Sequence, residues 1–77
     1  MFLPTHSIYV IDANGHRENI MMTDCATKQE VRAEVKSYIQ MLIKNNKTSY
    51  EDWTSIEYVD RNEKVLYACS IEECMED

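Results

Sequence analysis

The sequence predicts an α+β two-layer sandwich, β-β-α-β-β, with one helix on a four-stranded antiparallel sheet. The chain has 77 residues and 44% hydrophobic side chains, which suits one domain with a single thin core. A long amphipathic segment lies between two hairpin patterns, and the helix it forms needs one apolar surface to cover. Because two hairpins joined in one sheet supply that surface, residues 1–77 are expected to fold as a single domain.

The first hairpin is predicted for residues 7–22. Its first strand, 7–12, is rich in β-branched and aromatic side chains, and Asn14-Gly15 follows it as a strong turn signal. A second run, 17–22, returns from this turn and ends in Ile20-Met21-Met22. The pattern therefore indicates two antiparallel strands joined by a short loop.

The length of that loop decides which side chains face the core. A two-residue loop sets Val10 opposite Asn19, whereas a three-residue loop with Gly15 in the left-handed region sets Ile8 opposite Ile20. We favour the three-residue loop because it leaves only one face of the hairpin to be buried. The inward face would then carry Ile8, Val10, Ile20 and Met22.

A helix is predicted for residues 28–45. Thr27 and Glu30 have the Ser/Thr-x-x-Glu spacing of a capping box, in which each side chain satisfies a free backbone N–H group. Apolar residues recur at steps of three and four without a glycine or proline, which predicts one buried stripe. The stripe comprises Val31, Val35, Tyr38, Ile39, Leu42 and Ile43, and one polar flank is the basic series Lys28, Arg32 and Lys36.

The second hairpin is predicted for residues 53–71, and an acidic tail for 72–77. With a loop of about four residues at 60–63, Tyr58 lies opposite Tyr67 and Ile56 opposite Cys69. These four side chains face the helix. Alternation places the following apolar residues of both hairpins on the other face, where they exceed what a solvated face requires: Tyr9, Ile11, Met21, Val59, Leu66 and Ala68.

The negative charge is confined to the second part of the chain. The net charge is −6, yet residues 1–47 hold six bases and five acids, whereas residues 48–77 hold nine acids and only Arg61 and Lys64. Such a field repels phosphate backbones and attracts basic surfaces. One reading is that it only keeps a small protein in solution. The other is that it imitates a nucleic-acid phosphate track or docks on a channel lined by arginine and lysine.

The second reading predicts a partner-binding set around the second hairpin. Acidic residues that flank an aromatic anchor resemble the composition of a binding hot spot, although Trp53 could instead pack under the helix end. Direct nucleic-acid binding is not expected, because the basic flank of the helix is short and lies beside the acidic part. The candidate contacts are Glu51, Asp52, Trp53, Glu57, Asp60 and Glu63.

No pattern typical of catalysis, metal binding or cofactor binding is found in the sequence. Gly15 is the only glycine, which excludes a glycine-rich phosphate loop, and His6 and His16 are the only histidines. We therefore expect a non-enzymatic protein with no cofactor and no metal. No apolar run has the length of a signal or a membrane span, so a cytoplasmic location without membrane contact is expected.

The cysteines are three in number and have no Cys-x-x-Cys spacing, which fits reduced thiols in a cytosolic protein. Cys69 alternates into the core, and Cys74 in the acidic tail is expected to be exposed. Cys25 precedes the helix, where we expect it to be a structural side chain rather than a nucleophile.

In architecture and charge, this small acidic β-β-α-β-β chain resembles the phage-encoded anti-CRISPR and related anti-defence proteins. The resemblance covers the whole chain and implies an inhibitor that occupies the nucleic-acid or target-recognition surface of a bacterial nuclease complex. It implies a position in the host cell cytoplasm, and it assigns no individual residue.

Two other functions are compatible with the sequence. The chain could be a homo-oligomeric accessory or structural subunit, whose outward Tyr9, Ile11, Met21 and Leu66 pair with a second copy. Alternatively, it could be a small-ligand sponge or minor enzyme that uses a pocket at a subunit interface, with Cys25 or a histidine involved. The solution mass tests the former, and Cys25→Ser tests the latter.

Overall fold

The computed structural model, which describes residues 3–76, contains one four-stranded antiparallel sheet and two helices. The elements are β1 (Ser7–Asp12), β2 (Arg17–Met22), α1 (Lys28–Lys44), a 3-10 turn (Ser49–Asp52), β3 (Trp53–Val59), β4 (Val65–Ser70) and α2 (Ile71–Met75). The strand order is β2-β1-β3-β4, so the first strands of the two hairpins pair at the centre of the sheet. The predicted α+β class and the element order β-β-α-β-β are confirmed, and α2 is an addition to them.

The core lies between α1 and one face of the sheet. Ile8 and Val10 of β1 stand opposite Tyr58 and Ile56 of β3, and all four side chains are buried. The helix contributes Val31, Val35, Ile39 and Leu42 from its apolar stripe. Two members of the predicted stripe differ, because Tyr38 is half-buried and Ile43 remains 48% exposed.

Both ends of α1 are closed by local hydrogen bonds. At the start, Thr27 Oγ1 accepts from the Glu30 N–H at 3.2 Å, while Glu30 Oε2 accepts from the Ala26 N–H at 3.3 Å. At the end, the Lys47 N–H donates to Leu42 O at 2.8 Å and the Asn46 N–H to Ile43 O at 3.0 Å. This second pair is a Schellman motif, which Asn46 permits with a left-handed φ of 59°.

The two hairpins use the same three-residue turn. In the first turn, Asp12 Oδ1 accepts from the N–H groups of Asn14 and His16, each at 2.9 Å. In the second turn, Asp60 Oδ1 accepts in the same way from Asn62 at 2.8 Å and Lys64 at 3.0 Å. The three-residue loop predicted for the first hairpin is confirmed, and the second loop is shorter by one residue than expected.

A β-bulge changes the predicted faces of β2. Near the turn Tyr9 pairs with Asn19, but farther along Ile8 pairs with Met21, so that Ile20 is left without a partner. The bulge lets Ile20 and Met21 both pack against the core and turns Met22 outward, where it is 51% exposed. The predicted inward position of Met22 and the outward position of Met21 are therefore wrong.

The segment predicted as an acidic tail forms α2 as far as Met75, and residue 77 lies outside the described residues. Ser70 caps this helix, because its Oγ accepts from the Glu73 N–H at 3.1 Å. Ile71 therefore begins a helix instead of extending β4. Cys74 is only 2% exposed and belongs to the core, which corrects the expectation of an exposed thiol.

The Tyr58 hydroxyl joins the sheet to the segment before α1. It accepts from the Cys25 N–H at 2.7 Å and donates to the Cys25 carbonyl at 3.2 Å. The ring of Tyr58 also stacks on His6, with centroids 5.3 Å apart. A single side chain thereby satisfies both backbone groups of a loop residue that has left the sheet.

We predict that Tyr58→Phe lowers the free energy of unfolding by about 1–3 kcal/mol, because it leaves two half-buried backbone groups of Cys25 without a partner. Urea unfolding followed by circular dichroism measures the change. Tyr38→Phe is the matched control, since the Tyr38 hydroxyl has no hydrogen bond within residues 3–76. Equal stabilities of the two variants would contradict the assigned role of Tyr58.

Glu63 and Gly15 occupy the same turn position with φ of 64° and 83°. Because a side chain is strained there, we predict that Glu63→Gly raises the free energy of unfolding by about 0.5–1 kcal/mol. Gly15→Ala should lower it by about 1 kcal/mol through conformation alone, since an added Cβ meets nothing within 4 Å. Urea midpoints that shift in the opposite directions would contradict the equivalence of the turns.

Candidate partner-binding site

The six candidate contact residues lie at both ends of β3 and within it. Glu51 and Asp52 precede the strand, and Asp60 and Glu63 follow it, while Trp53 and Glu57 belong to it. Seven extended residues span roughly 23 Å, so Glu51 and Asp52 lie near one end of β3, and Asp60 and Glu63 lie near the other. The structure therefore does not unite the six residues in one patch.

Glu51 and Asp52 form an exposed acidic pair. They belong to the 3-10 turn before β3, which is tied to the first hairpin by a 2.8 Å hydrogen bond from the Ala13 N–H to the Asp52 carbonyl. Both side chains are exposed, and neither carboxylate has a hydrogen bond or ion pair within residues 3–76. The backbone of the turn is thus fixed while its two charges face solvent.

Trp53 packs inward. Its ring stacks on Tyr38 of α1 with a centroid distance of 6.1 Å and an interplanar angle of 20°, and the side chain is half-buried against the core. This is the alternative in which the indole packs under the helix end. Trp53 directly follows the acidic turn, and because its side chain is half-buried, only part of its ring is open to a partner.

Glu57 is engaged on the sheet face away from α1. Its Oε1 accepts from Arg17 Nε at 2.7 Å, and the Arg17 guanidinium lies over the Tyr9 ring at 3.8 Å from the centroid. The three residues come from β3, β2 and β1, so the cluster crosses three strands. It covers Tyr9, one of the apolar side chains predicted to be open on this face.

The outward apolar face is smaller than predicted. Met21 packs against the core, and Leu66 lines a pocket on the helix side of the sheet. Tyr9 and Ile11 remain outward but are half-buried. Of the four residues proposed to pair with a second copy, two therefore do not lie on the shared face.

Asp60 shapes the second turn. The backbone N–H groups of Lys64 and Asn62 donate to its carboxylate, and these bonds hold the pKa of Asp60 below its usual value. Replacing this side chain by one without an acceptor oxygen would alter the turn as well as the charge. Glu63 is exposed at the left-handed position of the same turn, so it can contribute charge without a bond to the fold.

The acidic residues of α2 lie beside the basic flank of α1. A groove of about 420 Å³ between the helices is lined by both charge types, including Arg32, Lys36, Glu73 and Glu76. Basic side chains of α1 and acidic side chains at α2 thus share one groove. Glu72 lies one residue before this groove lining and is exposed.

A smaller pocket of about 190 Å³ lies at the start of α1, where Cys25, Lys28 and Tyr58 contribute to its wall. Burial raises the pKa of the Cys25 thiol, which keeps the sulfur protonated near neutral pH. This is the reverse of what an activated nucleophile requires. The structural interpretation of Cys25 agrees with this environment.

Within residues 3–76, no cluster of three or more histidine, cysteine or acidic side chains is arranged to hold a metal ion. No helix in the same range has the length and apolar character needed to cross a membrane. No protein-family model matches the sequence, and no curated protein and no solved structure is significantly similar to it.

The carboxylates that bind backbone N–H groups predict how stability depends on pH. The pKa values of Asp12 and Asp60 are lowered in the folded state from 3.8, so their stabilising effect is present above that value. It is lost as the pH falls through the lowered pKa values. The urea midpoint should therefore decrease below about pH 4.

Asp60→Asn tests this linkage, because the amide oxygen still accepts both N–H groups but does not titrate. We expect the urea midpoint of this variant to decrease less than that of the wild type when the pH is lowered from about 6 to about 2. Adding Asp12→Asn should flatten the profile further, since the first turn has the same bonds. Profiles that coincide with the wild type would contradict the assignment.

Proposed function

We propose that this protein is a non-enzymatic, acidic binding module that inhibits a partner by covering its basic surface. The partner we expect is a bacterial defence nuclease complex, whose nucleic-acid-binding surface is lined by arginine and lysine. This is the function that the resemblance to anti-CRISPR proteins implies. It requires no catalytic residue, metal or cofactor of the chain itself.

The observation that carries the proposal is the exposed, unpaired acidic turn at Glu51 and Asp52. Glu57 is paired with Arg17 and Asp60 is bound to its own turn, whereas the carboxylates of Glu51, Asp52 and Glu63 have no such bond within residues 3–76, and of these three only Glu51 and Asp52 are adjacent. Their exposure means that a cationic partner can approach them without breaking a bond within the described residues.

Glu72 extends this acidic surface. Ser55 of β3 pairs with Ser70 of β4, so the start of β3 and the start of α2 lie at the same end of the two strands. Glu51, Asp52 and Glu72 are therefore near one end of the sheet, and Glu63 is near the opposite end. We infer that the first group is the primary contact and that Glu63 adds long-range attraction.

Contacts of this kind make two properties of the complex predictable. Charges at the rim of an interface accelerate encounter more than they slow dissociation, and their effect is screened by salt. Binding should therefore weaken steeply with ionic strength. The partner is expected to be one that also binds nucleic acid, because phosphates and carboxylates compete for the same guanidinium and ammonium groups.

We predict that Glu51→Lys/Asp52→Lys weakens partner binding roughly tenfold or more, through repulsion by the partner's basic groups. The matched control is Glu18→Lys/Glu34→Lys, which changes the net charge equally at exposed positions on β2 and α1. Tagged proteins are used to capture partners from a bacterial lysate, with washes at low and high salt and identification by mass spectrometry. Circular dichroism confirms that each variant is folded.

Recovery of a nuclease complex by the wild type and the control, but not by Glu51→Lys/Asp52→Lys, is the expected outcome. Equal loss in both variants would show that total charge matters and the acidic turn does not. Recovery of the bait alone, with a solution mass above that of a monomer, would favour a homo-oligomeric subunit instead.

A further inference from the structure

Two cysteine thiols meet in the core between the sheet and α2. Cys69 belongs to β4 and Cys74 to α2, and their sulfur atoms are 3.4 Å apart. The capped turn at Ser70 reverses the chain so that residues five positions apart come face to face. Neither sulfur is bonded to another in the structure.

We propose that Cys69 and Cys74 form an oxidation site, at which hydrogen peroxide converts the two thiols into an intramolecular disulfide that ties α2 to β4. A disulfide has a sulfur separation of about 2.05 Å, so the two atoms must approach by about 1.3 Å. The five-residue α2 can supply this movement, since it is a short helix that packs through few side chains.

The order of the two steps follows from exposure. Both residues are buried, but Cys69 is 9% exposed and Cys74 only 2%, so we assign the first reaction with peroxide to Cys69. Burial also raises the pKa of the Cys74 thiol, which keeps that sulfur protonated and less reactive at the outset. Cys69 is therefore the attacking group and Cys74 the resolving one.

The chemistry balances with peroxide as the only oxidant. The Cys69 thiolate attacks one peroxide oxygen and becomes a sulfenic acid, and the hydroxide that leaves takes up the Cys69 proton to form water. The Cys74 sulfur then displaces the sulfenic hydroxyl, which departs as a second water with the Cys74 proton. Each sulfur loses one electron, and one peroxide is reduced to two waters.

The disulfide would fix the position of α2 without changing the sheet. Cys69 is held by its pairing with Ile56 of β3, and Cys74 already lies in the core on α2, so the approach of the two sulfur atoms is a movement of α2 toward β4. The inference is independent of the proposed binding function, because it rests only on the two thiols.

The test uses Cys25→Ser protein, which removes the third thiol and its side reactions. After treatment with peroxide, intact mass should show the loss of two hydrogen atoms, and peptide mapping should join Cys69 to Cys74. The oxidised protein should unfold at a Tm about 5–10 °C above the reduced one, because the bond restricts the unfolded chain. Reduction with a dithiol should reverse both changes.

Cys25→Ser/Cys69→Ala and Cys25→Ser/Cys74→Ala are the controls, which should gain oxygen atoms or dimerise and form no internal link. The same mapping on the wild-type chain keeps the test valid if the Cys25→Ser variant folds poorly. Peroxide-treated, folded protein that gains oxygen on Cys69 and no link would overturn the proposal. A lower Tm in the linked form would also overturn it, since it would mean that the native positions do not accommodate the bond.

Discussion

The antiparallel pairing of β1 with β3 is the contact on which the rest of the structure depends. It joins the two hairpins through residues that are more than forty positions apart in sequence, and it places Ile8 opposite Tyr58 and Val10 opposite Ile56 beneath α1. A hairpin alone is at best marginally stable in water, so neither would persist without this central pair and the helix that covers it. The same pairing fixes the two ends of the sheet near which the acidic residues lie.

The fold uses many of its acidic residues internally, which changes how the charge of the chain should be interpreted. Asp12 and Asp60 accept backbone N–H bonds in the two turns, and Glu57 holds Arg17 over Tyr9. Fewer carboxylates are therefore free to bond a partner than the 14 acidic residues suggest. The free ones include the adjacent pair Glu51 and Asp52 in the acidic turn before β3.

The long-period features of the fold could be predicted from sequence, whereas single-residue offsets could not. The helix 28–45 and the pairings of Tyr58 with Tyr67 and Ile56 with Cys69 are confirmed within one residue, because each follows from a repeated pattern. The bulge at Ile20 is different. It depends on how Ile20 and Met21 both pack against the core, and the alternation of inward and outward residues along a strand does not predict this.

The sequence contains a capping signal for the second helix. Ser70 and Glu73 have the same Ser/Thr-x-x-Glu spacing as Thr27 and Glu30, and in both cases the hydroxyl oxygen accepts from the glutamate N–H. The prediction of an acidic tail at 72–77 rests only on the charge of these residues. The ion pair of Glu57 and the inward packing of Trp53 have no such signal, since each depends on which distant residue lies across the sheet or on the helix.

The position of α2 also determines which of its acids can act toward a partner. A helix that buries Cys74 must turn Glu73 toward the groove beside α1, because residues one apart on a helix are separated by about 100°. Glu72 lies outside that groove lining, and because both glutamates are exposed, they present their charges on different parts of the surface. The packing of one small apolar side chain thus orients both carboxylates, and in the proposed function Glu72 is the one that joins Glu51 and Asp52 at the same end of the strands.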